Sequence, residues 1–194
     1  DDGAILARIM AAVVPVVAQP ASTPSLVRRD APDDVTARAS RVETPLTLDG
    51  RLDEAIYARV APLSDFIQQE PRQGQPATEK TEAWILFDDT NLYISARNWN
   101  SQPEREVANE MRRDDNNVFQ NDHIAFVFDT FYDRRNAVEF VVNAIGGRMD
   151  GQITNERQYG GDWNPIWEAE VGRFAGGWTL EVAIPFKSLR YRPG

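Results

Sequence analysis

Ala83-Trp84-Ile85-Leu86-Phe87-Asp88-Asp89-Thr90-Asn91-Leu92-Tyr93-Ile94-Ser95-Ala96 is the stretch that decides the fold. Its first five residues read as a buried-type strand. The Asp-Asp-Thr-Asn cluster ends that strand, because Asp and Asn side chains accept hydrogen bonds from their own backbone in turns. Leu92 to Ala96 then resumes, so the pair reads as a hairpin.

The same period of two extends outward from this hairpin. His123 to Asp129 puts Ile124, Phe126 and Phe128 on one face. Val138, Phe140 and Val142 repeat the pattern after a polar turn at Asp133-Arg134-Arg135-Asn136. Gly146-Gly147 makes the next turn, and Met149 to Thr154 a weaker strand. Trp167 to Val171 alternates, and Trp178, Leu180, Val182 and Ile184 alternate with Thr179, Glu181 and Ala183. Short strands between Gly and Asx turns predict an all-β antiparallel two-sheet β-sandwich, jelly-roll or immunoglobulin-like, over 45–194. Helix is minor, at 52–59, at 103–111 and in a turn after Pro185. The expected core is Trp84, Leu86, Phe126, Phe128, Phe140, Trp178, Leu180 and Val182.

Residues 1–44 read differently. Residues 9–18 (IMAAVVPVVA) are apolar and contain Pro15. Ten residues rise about 15 Å as a helix, half a bilayer core, so the run is no transmembrane span. It matches the hydrophobic region of a secretory signal, with small residues after it, although Asp1-Asp2 is acidic where such signals are basic. Residues 19–44, with Pro20, Pro24 and Pro32, have no helical or strand period and form an extended arm. Ile9, Met10, Val13, Val14, Val16, Val17, Leu26 and Val27 are the candidate partner-binding residues of that arm. A protein partner through 1–44 and a membrane edge along 9–18 are the contacts it suits.

Composition narrows the function. The 194 residues carry 21 bases and 30 acids, a net charge of −9. A nucleic-acid backbone or an anionic lipid surface needs a basic face instead. With no Cys there is no disulfide scaffold and no thiolate nucleophile, and one His cannot build a poly-His metal centre. The 42% apolar fraction and five Trp are enough for a core.

Several segments together carry a resemblance. Thr47-Leu48-Asp49-Gly50-Arg51-Leu52-Asp53-Glu54 resembles the opening of the family 9 carbohydrate-binding modules, and the stretch from Trp84 to Ile94 is similar to the same family. Asp122 to Asp133, Val142 to Gly147 and Gly177 to Phe186 resemble one subgroup. That subgroup lies at the N-terminus of secreted bacterial proteins whose later half is a predicted outer-membrane barrel. Tyr57 stands where the family usually has a Trp. The resemblance implies a non-catalytic extracytoplasmic binding module, on the periplasmic or extracellular face of a bacterial membrane, with a glycan as ligand.

Sugar binding needs aromatic faces for stacking and polar groups for hydroxyls. Loop aromatics are the candidates: Trp99 with Arg97, and Tyr159 and Trp163 with Asp162 and Asn164. Trp84, Trp167 and Trp178 lie in alternating strands and belong to the core. Paired acids among Asp114, Asp115, Asp122, Asp129 and Asp133 would be needed for glycoside hydrolysis, but turn clusters use Asp for the backbone. His123 has no nucleophile signature beside it. No catalytic residue and no cofactor is assigned. Structural calcium is implied by related modules, with Asp49, Asp53 and Asp129 as candidate ligands. Two classes stay open: a glycan-binding module attached through its arm, and an accessory structural subunit on the periplasmic face of a secretory, respiratory or photosynthetic membrane complex.

Overall fold

The computed structural model describes residues 37–191 in full, and the backbone of 9–10, 28–31 and 34–36. In chain order the elements are β1 (Ile9–Met10), β2 (Arg28–Ala31), β3 (Asp34–Thr36), β4 (Ser40–Arg41), α1 (Ala55–Arg59), β5 (Thr81–Phe87) and β6 (Asn91–Trp99). They continue with β7 (His123–Phe128), β8 (Ala137–Asn143), β9 (Arg148–Thr154), β10 (Gln158–Gly160), β11 (Glu168–Phe174) and β12 (Gly177–Pro185). Sheet one has the order β1-β7-β8-β9-β10, sheet two the order β11-β12-β6-β5-β4, and β2 pairs with β3. β1 runs parallel to β7 and β4 parallel to β5, while the hairpin-connected pairs are antiparallel. The predicted β-sandwich is thus observed.

The β5–β6 hairpin closes as its sequence dictates. Asp88 Oδ1 accepts from the backbone N–H of Thr90 (2.6 Å) and Asn91 (2.7 Å). Its other oxygen takes the Tyr93 hydroxyl at 2.7 Å. Partial burial pushes this carboxyl up, yet the bonds from Tyr93, Thr90 and Asn91 outweigh it and hold the group at about 2.

Alternation sends Phe126, Phe128, Phe140, Ile94, Leu180 and Ile184 into the space between the sheets. Phe126 and Phe140 are stacked at 5.8 Å. The expected core residues are all buried, but Trp84 and Leu86 are not in this layer. They point the other way and form a second cluster with Val42, Tyr57 and Tyr93 on the outer face of sheet two.

That face is roofed by residues 42–60. The sandwich accordingly takes in residues before 45: Ala37 and Ala39 pack on the main core, and the Val42 N–H donates to the Phe87 carbonyl at 2.8 Å. Gly50 brings the roof into backbone contact, with φ of +75° and space for no Cβ, which would lie 2.6 Å from the Gly172 nitrogen. Beneath it the buried Glu181 accepts from Gly50 N–H (2.9 Å), Asp49 N–H (3.1 Å) and Tyr57 hydroxyl (2.8 Å). Burial raises the Glu181 carboxyl, against the pull of those donors, and it also raises the Tyr57 hydroxyl.

Two helix expectations shrink. The first helix spans only Ala55–Arg59. At 103–111 a single 3-10 turn, Pro103–Arg105, forms. Glu106 leaves helical space (ψ 128°), and the Val107 carbonyl is taken by the Asp122 N–H at 2.7 Å. A second 3-10 turn covers Asn116–Gln120. The third, Phe186–Ser188, is the expected turn after Pro185.

In the arm, β1 adds to the edge of sheet one, with Ile9 opposite Phe126 and Met10 opposite Val127. Val13, Val14, Val16, Val17, Leu26 and Val27, and with them most of the signal-like run, lie outside the described residues. Among the described residues no helix is long and apolar enough to cross a membrane.

Candidate functional site

The aromatics and polar residues singled out in the sequence fall into two separate groups. Arg97 and Trp99 are two residues apart on β6, so both project from the outer face of sheet two. Tyr159 sits on β10, opposite Ile153 in sheet one. One ligand cannot be gripped by both groups, because the whole sandwich lies between them.

Trp99 is already engaged. Its ring meets Phe174 edge-on at 5.5 Å, and the Lys80 ammonium lies 4.3 Å from its centroid. Arg97 lies over both Trp84 (5.7 Å) and Trp99 (5.8 Å) and reaches Glu82 at 3.4 Å. These cation–π contacts occupy the aromatic face that a pyranose would need.

The other group converges on Arg113, a residue the sequence reading did not select. Its Nη2 donates to Asp150 Oδ1 (2.7 Å), Asn164 Oδ1 (2.8 Å) and the Pro165 carbonyl (3.4 Å), and its Nε to Asp114 Oδ2 (3.3 Å). Asp150 is fully buried, faces inward from β9, and takes Trp167 Nε1–H on the same oxygen at 2.7 Å. Burial raises the Asp150 carboxyl, while Trp167 and Arg113 pull it down. Its Oδ2 has no hydrogen-bond partner among the described residues. The buried ion pair thus fixes a guanidinium whose side chain remains 33% exposed.

Tyr159 lies beside this cluster. Its hydroxyl donates to the Asp150 carbonyl at 3.3 Å, and its ring lies flat over Gly151, where a Cβ would stand 2.4 Å from the ring. Burial, with the charges of Glu139, Asp150 and Asp114, pushes its hydroxyl up to about 12, so it stays a neutral donor. The residue is still 43% exposed. The structure therefore brings together Asn164, Arg113 and Asp150, with the Tyr159 ring on the other face of β9 and bonded to the Asp150 main chain. Asp162 is exposed on the adjoining loop. Trp163 turns inward and packs its ring on Phe140 at 5.6 Å, which makes it an anchor of the loop.

A sequence signal for the missed residues existed. A glycine inside a strand marks a close approach of another group. Asp150-Gly151 in β9 carries that mark, and Arg112-Arg113-Asp114-Asp115 is a dense charge run.

The acids proposed for calcium serve other ends. Asp49 Oδ1 accepts from the Arg51 N–H (2.9 Å), and Asp53 pairs with the Arg51 guanidinium (2.9 Å). Asp129 accepts from the N–H groups of Phe131, Asp133 and Arg134. Among the described residues no three His, Asp or Glu side chains gather as a metal site. His123 is buried, with Nδ1 2.7 Å from the Asn121 carbonyl, and burial lowers its pKa.

No protein-family model and no curated protein matches the chain. Two solved structures of a family 9 carbohydrate-binding module from Caldicellulosiruptor kristjanssonii are similar to it. The one in complex with cellotriose has a TM-score of 0.54 and 16% identity, covering 76% of this chain and 65% of that one. The one in complex with glucose has a TM-score of 0.55 and 16% identity, covering 80% and 70%. This chain thus spans just under two thirds of the first structure, and what the two proteins share is the fold of a family 9 carbohydrate-binding module.

Proposed function

We propose that this chain is a non-catalytic glycan-binding module that works outside the cytoplasm, and that its ligand sits on Tyr159, Arg113 and Asn164. One observation carries the reading: Asp150 links a guanidinium, which its buried carboxylate holds in place, to an exposed phenol ring whose hydroxyl donates to the Asp150 carbonyl. A pyranose offers an apolar face and a ring of hydroxyls, and this pair of groups answers both. Because Arg113 and Tyr159 are already held, little side-chain freedom is lost on binding. The fold likeness to modules solved with glucose and cellotriose adds support.

The absence of a catalytic role is part of the proposal. Asp115 caps the Asn117 N–H, Asp122 accepts from Val107 N–H, and Asp133 accepts from Arg135 and Asn136. Burial raises Asp122 and the Glu106 charge adds to the rise, but Asp122 accepts from the Val107 N–H and Glu106 is tied up by the Arg173 guanidinium at 2.7 Å.

Calorimetric titration with gluco-, xylo- and manno-trisaccharides tests the reading. At least one should bind, and Arg113→Ala and Tyr159→Ala should each weaken it about tenfold or more. Wild-type protein that gave no heat with any of the three at millimolar concentration would refute it.

The arm supports a finer reading, attachment to a larger assembly at a bacterial membrane face. Its apolar residues from Ile9 to Val17 need cover, and ordering such a chain costs about 1–2 kcal/mol per residue, which a large protein contact can offset. The cut for the test follows the packing: apart from the two-residue β1 at the edge of sheet one, the described residues packed on the sandwich core begin at Ala37. Deleting 1–36 should leave the domain folded and release it from its complex. A complex that co-purifies while no glycan binds would favour the accessory-subunit reading instead.

A further inference from the structure

Four of the six described non-glycine residues with positive φ lie in two neighbouring hairpin tips: Tyr132 (54°) and Arg134 (58°) between β7 and β8, Asn155 (51°) and Glu156 (71°) between β9 and β10. Side chains rarely adopt this region, and each instance is held only where its surroundings over-determine it. Here they do. Asp129 and Asp133 together accept five main-chain N–H bonds from the β7–β8 tip. The Glu156 N–H then donates to the Arg135 carbonyl at 2.8 Å, which ties the two tips into one unit.

This rigid unit holds two aromatic residues in water. Phe131 is 43% exposed and Tyr132 is 75% exposed. A soluble surface gains nothing from fixed, exposed aromatics on strained backbone unless something stacks on them. Rigid aromatics beside Arg and Asp are the composition of a recognition surface.

What stacks there is indicated by continuity. The second tip leads directly into β10, and two residues past Arg157 stands Tyr159, over Gly151 and against Asp150. The path from Asp150 to the end of β9 at Thr154 is about 13 Å at ~3.3 Å per residue. The tips lie beyond that end. Tyr159 and the two tied tips therefore lie at one corner of sheet one, where β9 turns into β10.

We propose that the glycan site continues from Tyr159 to the Phe131-Tyr132 tip, so that the ligand is an extended polysaccharide chain rather than a single sugar or chain end. The proposal rests on the glycan-binding reading above. Tyr132 supplies a distal stacking face, and the tied hairpins hold it in register with the β10 strand that carries Tyr159. An acidic protein or anionic lipid surface is disfavoured, because Arg134, Arg135 and Arg157 are matched in the same two loops by Asp129, Asp133 and Glu156.

Titration of the full chain with trisaccharides and hexasaccharides of the gluco-, xylo- and manno- series tests this, using wild type, Tyr132→Gly and Phe131→Ala. Glycine removes the ring and relieves the positive φ, so Tyr132→Gly should melt at the same temperature or higher. The hexasaccharide of the preferred series should bind the wild type about tenfold more tightly than its trisaccharide. Tyr132→Gly should remove that gain and leave trisaccharide affinity unchanged. If trisaccharide binds but wild type shows no gain with length, or Tyr132→Gly keeps the gain, this inference is overturned while the glycan reading stands. If no oligosaccharide binds wild type, both fall together.

Discussion

On sheet two the outward side chains Trp84, Leu86, Tyr93 and Glu181 lie beneath residues 42–60. On sheet one the described cover, Val118 and Phe119 from a 3-10 turn, lies over His123, Ala125, Val141 and Met149. Beyond it, at β9 and β10, Tyr159 itself is the outermost layer. The strands alternate alike on both sheets, yet an outward aromatic on one is a structural element and on the other a presented surface. Whether an aromatic is available to a ligand is decided by what the rest of the chain lays over it.

The contrast is broken most severely from its common centre. Phe140→Ala should cost about 3–5 kcal/mol in denaturant unfolding, because Phe140 is fully buried and touches Phe126, Phe128, Trp163 and Trp167. It should also loosen the 161–167 loop through Trp163. An unmoved denaturation midpoint would show that the layer between the sheets is misassigned.

The roof is tested through Glu181. Glu181→Ala should cost about 3 kcal/mol, since two backbone N–H groups and the Tyr57 hydroxyl lose a buried acceptor. Glu168→Ala, on the exposed start of β11, should stay within about 0.5 kcal/mol. Equal effects for the two would mean that 42–60 is not a closed cover.

Acid sharpens the comparison at the hairpin under the roof's edge. Asp88 is held at about 2, below its ordinary 3.8. Its contribution is complete above the ordinary value and is lost as pH falls toward 2. Asp88→Asn should flatten the stability loss between pH about 4 and about 2. A profile identical to wild type there would contradict the hydrogen-bond assignment.

The smallest structural effects should separate the two aromatic groups. Trp99→Ala should leave glycan affinity unchanged. Gly151→Ala should displace the Tyr159 ring, with modest change in stability because the ring is the far end of a movable side chain, and should weaken binding as Tyr159→Ala does. The reverse pattern in titration would move the site to sheet two.

Much of this was legible in the chain. The Asp88 and Asp133 turns and the inward phenylalanines follow from short-range rules: a carboxylate accepts nearby N–H groups, and period two fixes the face of each strand. Trp163 and Trp99 have ring partners that a loop position or strand end does not reveal, Phe140 for the first and Phe174 with Lys80 for the second. Arg113 was not selected, since its partners Asp150 and Asn164 are 37 and 51 residues away.

The sequence by itself thus determined the strands, their turns and which side chains of each strand share a face. Those depend on backbone geometry and on neighbours within a few residues. Only the tertiary structure decided that residues 42–60 close one outer face, that Asp150 pins Arg113, and that Glu156 ties the β9–β10 tip to the β7–β8 tip at Arg135. Each of these is a contact between distant segments. Such contacts are settled by which surfaces pack together, and no local pattern records that.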